Sequence, residues 1–148
     1  MNRMKLTDAV TAGSAMSAED FAEAAADGFK SIINNRAGTD NNLLITPVQE
    51  AALAAQHGLE YRHIPMTSGT ISVKAAAEFA KALDELPKPV LAHCGGAARS
   101  ATLWALSQAP SDLEVQEILA TTAGAGFDFS HLTPLLRGLK EDSRREEK

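Results

Sequence analysis

Four short apolar runs, "DAVTAGS", "FKSIINNR", "LEYRHIPM" and "PVLAHC", each give way within a few residues to a stretch carrying helical signals. Runs this short, bounded by glycine, proline and asparagine, read as strands. The first is expected to end at Gly13. A helix then follows in "MSAEDFAEAAADG", with Ser17 as N-cap, Asp20 three residues on and Gly28 as the stop. After the second strand, "AGTDNNLLIT" reads as loop, and Thr46-Pro47 opens a helix that ends at His57-Gly58. Past the third strand, "TSGT" is a turn. From Ser72 to Leu86, Val73, Ala76, Ala77, Ala80 and Leu83 recur at helical spacing, and Pro87 and Pro89 close that helix. "RSATLWALSQ" is helical, another helix is expected from Asp112 to about Ala123, and "HLTPLLRGLK" is a last short one.

Strands alternating with helices of this length predict an α/β fold, a mostly parallel central sheet with helices on both faces. In such folds sites lie at the carboxyl ends of the strands. With 148 residues, 45% of them hydrophobic, one domain is expected over residues 1–140, followed by a charged, disordered tail over 141–148. A net charge of −5 with scattered basic residues argues against nucleic acid as a partner. No apolar run is long enough to span a bilayer, and the first residues lack the core of a signal peptide. The expectation is a soluble, cytoplasmic protein with no membrane partner; the oligomeric state is not readable.

The only cysteine, Cys94, stands at the end of the fourth strand, inside "AHCGGAARS". A single cysteine forms no internal disulfide. A strand that turns through small residues into a helix gathers backbone N–H groups and the positive end of the helix dipole into one anion-binding concavity. A thiol at its edge is expected to act as a nucleophile, since a helix N-terminus lowers a cysteine pKa. Arg99 can present its planar fork to an oxyanion. Ser100 is expected to donate to the thiolate or to a departing sulfur, and His93 to steady the loop through a ring nitrogen. Gly95, Gly96, Ala97 and Ala98 form the anion-binding loop. His57, His63 and His131 have no ligand-like spacing, so neither a metal nor a cofactor is expected.

"GFKSIINNR", "GLEYRHIPMTSG" and "PVLAHCGGAARSATLWAL" together resemble the DUF442 family, the phosphatase-like domain of beta-lactamase hydrolase-like proteins, from about Val10 to about Leu106. The resemblance implies a dual-specificity or tyrosine phosphatase-like fold and an activity of either phosphatase or sulfur transferase. It implies that Cys94 matches the family's nucleophile, Arg99 its anion-holding arginine, Ser100 the hydroxyl after it and His93 the histidine before the cysteine. Some relatives fuse this domain to a metallo-beta-lactamase-like persulfide dioxygenase; no His-x-His-x-Asp-His motif occurs here, so the stand-alone form is expected. Where the family typically has Arg-Ser-Gly-Thr, this chain has Gly-Gly-Ala-Ala. Ala97 is expected to keep an ordinary backbone angle, because alanine at positive φ is costly.

Two features bear on the chemistry. Four residues separate Cys94 from Arg99, as in rhodanese-type loops, whereas tyrosine phosphatases have five. A phosphatase of this type also uses a loop acid to protonate its leaving group, and "PMTSGT" has none. Asp40 and Asp128 are the remaining candidates for that acid. Sulfane-sulfur transfer through a Cys94 persulfide, with a small thiol or persulfide as substrate, is therefore placed first. Hydrolysis of a phosphate ester through a phosphocysteine is the alternative, and a non-catalytic anion-binding module the third reading. Asn35, Arg36 and Asp40, in "NRAGTDNNLL", lie at a second strand end and either read substrate or form an ordinary solvated turn.

Overall fold

The computed structural model describes residues 1–40 and 45–146. Five strands form one sheet in the order β1-β2-β5-β3-β4. They are β1 (Arg3–Lys5), β2 (Val10–Gly13), β3 (Ser31–Asn34), β4 (Glu60–His63) and β5 (Val90–His93). β2, β5, β3 and β4 run parallel, and β1 adds an antiparallel edge to β2. The expected mostly parallel sheet is present; β1 went unpredicted. Its three residues include two basic ones and none is buried, so only pairing with β2 marks it as a strand.

Alternation along the strands sorts the core. Ile32 and Leu91 point to one face, where Phe21 and Ala24 of α1 (Ala18–Ala26) and Ala54 of α2 (Pro47–Gln56) cover them. Ile33, Val90 and Ala92 point to the other face. That face is covered by α3 (Val73–Glu85), α4 (Ala98–Gln108), α5 (Val115–Gly124) and α6 (Thr133–Glu146). Phe79 and Leu103 are fully buried there and Trp104 nearly so. Each such side chain contributes roughly 1.5–3 kcal/mol by leaving water.

The helix ends follow local chemistry. Ser17 and Asp20 close a capping box on α1, Thr46 and Gln49 another on α2, and Ser72 caps α3. Two boundaries differ from expectation. α5 begins at Val115 rather than Asp112, because Glu114 and Glu117 form its capping box. The charged end of the chain is not a disordered tail through residue 146: α6 continues to Glu146, and Arg145 lies 3.5 Å from Glu141 and 3.9 Å from Asp142. Such pairs one turn apart support a helix that a composition reading takes as frayed.

Parallel register brings four strand ends to one edge. Gly13 and Asn34 both lie opposite His93, and His63 lies opposite Asn34. The chain beyond each strand stays tied there: Cys94 N–H donates to Gly13 O, Asn35 N–H to His93 O, and Ile64 N–H to Asn34 O. The segments after β2, β3, β4 and β5 thus meet around Cys94.

Candidate active site

Cys94 is a free thiol, buried to within 1%. The loop behind it is fixed to the turn after β2, where Ala15 N–H donates to Gly95 O at 3.2 Å and Ser14 pairs with Gly96. Ala98, Arg99 and Ser100 open α4, so their N–H groups have no acceptor within the helix. No side chain caps that helix end.

Ala97 does not keep an ordinary backbone angle. It sits at φ 75°, ψ −21°, the sole non-glycine residue at positive φ among the described residues. The conformation costs on the order of 1–3 kcal/mol for a residue with a Cβ. Its surroundings impose it: Ala97 is fully buried in the core, its carbonyl accepts the Ala101 N–H that starts α4, and Gly96 beside it pairs with Ser14. The loop therefore turns as a glycine would allow, with alanine in the turn.

Arg99 reaches back over the loop. A Cβ built on Gly95 would lie 3.3 Å from its Nη2, so the guanidinium passes directly over that glycine. Its fork is engaged by Asp40. Nη1–H donates to Oδ1 at 3.0 Å, Nη2–H to Oδ2 at 2.7 Å, and Nη1–H also to Met66 O at 2.9 Å. Burial works against the charge of Arg99, yet the Asp40 carboxylate and the Cys94 sulfur outweigh it and hold its pKa above the ordinary arginine value. Asp40 is pushed the other way: the Arg99 hydrogen bonds hold its carboxyl below the usual range against burial, with help from Arg36, whose Nε lies 3.2 Å from Oδ2.

Asp40 thus stands beside the site with both carboxylate oxygens on Arg99 and its pKa lowered. Asp128, the other candidate acid, is exposed and accepts the Ser130 N–H at 3.0 Å; those bonds to Ser130 lower its pKa as well. Neither residue has the raised pKa that a general acid uses.

Ser100 does not donate to the thiolate. Its hydroxyl, fully buried, donates to Asn35 Oδ1 at 2.7 Å. Asn35 is buried too, and its Nδ2 donates to Ile64 O at 2.8 Å. One amide thereby ties α4 to the chain after β3 and after β4. The chain just after β3 is not a solvated turn: Arg36 is 9% exposed, its N–H donates to Asn34 Oδ1, and its carbonyl accepts His63 Nε2–H at 2.7 Å. Residues 41–44 of "NRAGTDNNLL" lie outside the described residues.

His93 reaches a partner that sequence reasoning missed. Its Nε2 lies 2.8 Å from Oε1 of Glu50, on α2, with both side chains buried. Tyr61 O–H donates to the same oxygen at 3.3 Å, and Asn34 Nδ2 donates to Tyr61 at 3.0 Å. Burial, then the Glu50 charge, raises the Tyr61 pKa, so the phenol keeps its proton. The other ring nitrogen of His93, Nδ1, is buried without a hydrogen-bond partner among the described residues. Among those residues no three His, Cys, Asp or Glu side chains gather as a metal site.

A cysteine at the end of the central strand, a loop of small residues, and an arginine from the next helix folded over that loop define the phosphatase-like class of cysteine-site α/β folds. The chain belongs to the family of the beta-lactamase hydrolase-like protein, phosphatase-like domain, which matches residues 3–111. The beta-lactamase hydrolase-like protein of Agrobacterium fabrum is 32% identical over 109 residues, covering 74% of this chain and 25% of its own length. The chain thus spans about a quarter of that relative. Among solved structures, a putative phosphatase from Neisseria meningitidis superposes with a TM-score of 0.78 at 24% identity, over 92% of this chain and 96% of that one. PTPMT1 in complex with PI(5)P superposes with a TM-score of 0.74 at 11% identity, over 99% of each. These likenesses establish the fold. Among the described residues no helix is long and apolar enough to cross a membrane.

Proposed function

We propose that the chain is a cysteine enzyme that moves sulfane sulfur through a persulfide on Cys94. The Cys94 thiolate attacks the outer sulfur of a donor persulfide; an S–S bond forms on Cys94 and the donor's S–S bond breaks, its electron pair leaving with the donor thiolate. An acceptor thiolate then attacks the Cys94-bound sulfur and restores the Cys94 thiolate, so atoms and charge balance without an added oxidant. The N–H groups at the start of α4 and the Arg99 guanidinium stabilise the sulfur anion. His93, on Glu50, and Ser100, on Asn35, hold the loop from behind.

One observation carries the preference for sulfur: the Asp40 carboxylate is bidentate on Arg99 with its pKa lowered, so this acid is not set to protonate an alkoxide leaving group. A departing thiolate needs none. Likeness to PTPMT1, solved with PI(5)P, favours the second reading, in which Cys94 attacks phosphorus and water hydrolyses the phosphocysteine. With Asp40 held on Arg99, that reaction is suited to leaving groups that depart unprotonated, such as aryl oxides.

Transfer from glutathione persulfide to an acceptor thiol, run beside hydrolysis of an aryl phosphate, separates the two. Sulfur transfer abolished by Cys94→Ser, with negligible phosphate release, is the expected pattern. Phosphate release dependent on Cys94, without sulfur transfer, reverses the assignment.

A further inference from the structure

The Asp40 carboxylate uses both of its oxygens on the Nη groups of Arg99, the same fork that an incoming oxyanion would take. Its side chain is 7% exposed, and Arg36 holds it from the other side. An anion that approaches Arg99 therefore displaces Asp40 or settles beside it. With Cys94 as thiolate, the two guanidinium groups, the carboxylate and the sulfur sum to zero charge. A second negative charge on the guest then gains no net attraction, while its desolvation cost rises steeply, because solvation energy grows faster than in proportion to charge.

We propose that Asp40 is the specificity-determining residue of this site: it neutralises Arg99 and discriminates against doubly charged tetrahedral anions in favour of a singly charged persulfide donor. The persulfide half rests on the sulfur-transfer reading of Cys94; the discrimination by charge does not. A cradle without this carboxylate suits a phosphate monoester dianion. With it, the head group that fits carries one charge.

Sulfate and methanesulfonate share a tetrahedral sulfur-oxygen head and differ in charge, so calorimetric titration with each at fixed ionic strength reads the discrimination. The unaltered protein is expected to bind methanesulfonate at least as tightly as sulfate. Asp40→Asn, which removes the charge and keeps the shape, is expected to shift the ratio towards sulfate by about tenfold or more, since a like charge at contact is strongly repulsive. Asp40→Glu, retaining the charge, is expected to keep the original preference. A clear sulfate preference in the unaltered protein, or an unchanged ratio in a folded Asp40→Asn protein, overturns the proposal. Should Asp40→Asn not fold, the preference of the unaltered protein decides. Failure of Cys94 to load sulfur with these ratios intact removes only the persulfide half.

Discussion

Arg99 and Asp40, 59 residues apart, meet fork to fork, with Nη1–Oδ1 at 3.0 Å and Nη2–Oδ2 at 2.7 Å. The pair joins the first turn of α4 to the segment after β3, and through Met66 O it also reaches the segment after β4. Three of the four chain segments around Cys94 are therefore coupled by one guanidinium.

That coupling has a pH signature. The folded pKa of Asp40 lies below its unfolded value, so the carboxylate stabilises the fold above the ordinary carboxylate range, near pH ~4. This contribution is lost as pH falls through the depressed folded value. Thermal melts from neutral to strongly acidic pH are expected to converge for the unaltered protein and Asp40→Asn at the acid end. Curves that stay parallel throughout contradict the coupling.

Ala97 carries a backbone angle suited to glycine. Ala97→Gly removes roughly 1–2 kcal/mol of left-handed strain, offset by roughly 0.4–1 kcal/mol of unfolded-state entropy and by the loss of a buried methyl group. Its melting temperature should stay within a few degrees of the original. Ala97→Val forces a β-branched residue into the same angle and is expected to destabilise by more than ~2 kcal/mol. Equal effects from the two would show that the turn is not strained as described.

Glu50 is expected to matter through His93. Glu50→Ala leaves the buried imidazole without the one hydrogen-bond partner it has among the described residues and should cost about 1–3 kcal/mol in denaturant unfolding. Val48→Ala, on the same helix but 80% exposed, should stay within ~0.5 kcal/mol. If His93 acts only as scaffold, the pH profile of Cys94 alkylation in Glu50→Gln will superimpose on the original. A displaced profile marks Glu50 as a positioning residue for the thiolate.

Ser100 and Asn35 behave as one unit in the structure. Ser100→Ala and Asn35→Ala should each destabilise, and the double variant should cost less than their sum, by about 0.5 kcal/mol or more. The alkylation profile of Cys94 should change little in Ser100→Ala, because the hydroxyl is turned to Asn35. A large rise in the thiol pKa there would restore the direct contact with sulfur inferred from sequence.

Sequence pattern carried the four parallel strands and the caps of α1 and α2 because both are local. Ile32 and Ile33 announce a strand covered on two faces, and Ser17 with Asp20 announces a helix start. Cys94 and Arg99 are five residues apart, at the two ends of the short loop from β5 into α4, so their nearness was legible as well. The partners that define their environment were not. Glu50 lies 43 residues from His93 and Asn35 65 from Ser100; the packing of α2 on the sheet brings the first pair together and the parallel register of β3 and β5 the second. Glu50 sits on a helix at Thr46-Pro47, where a carboxylate in the first turn reads as dipole compensation. Ala97 shows the opposite failure: a sound local rule lost to the packing that surrounds it.

Intact-mass measurement of the protein after brief exposure to glutathione persulfide tests the role of Cys94 most directly. One added sulfur, about 32 Da, is expected on Cys94, removable by an acceptor thiol and absent in Cys94→Ser and Arg99→Ala. An unmodified Cys94 under those conditions, in a folded protein that releases phosphate from an aryl ester, contradicts the sulfur-transfer reading.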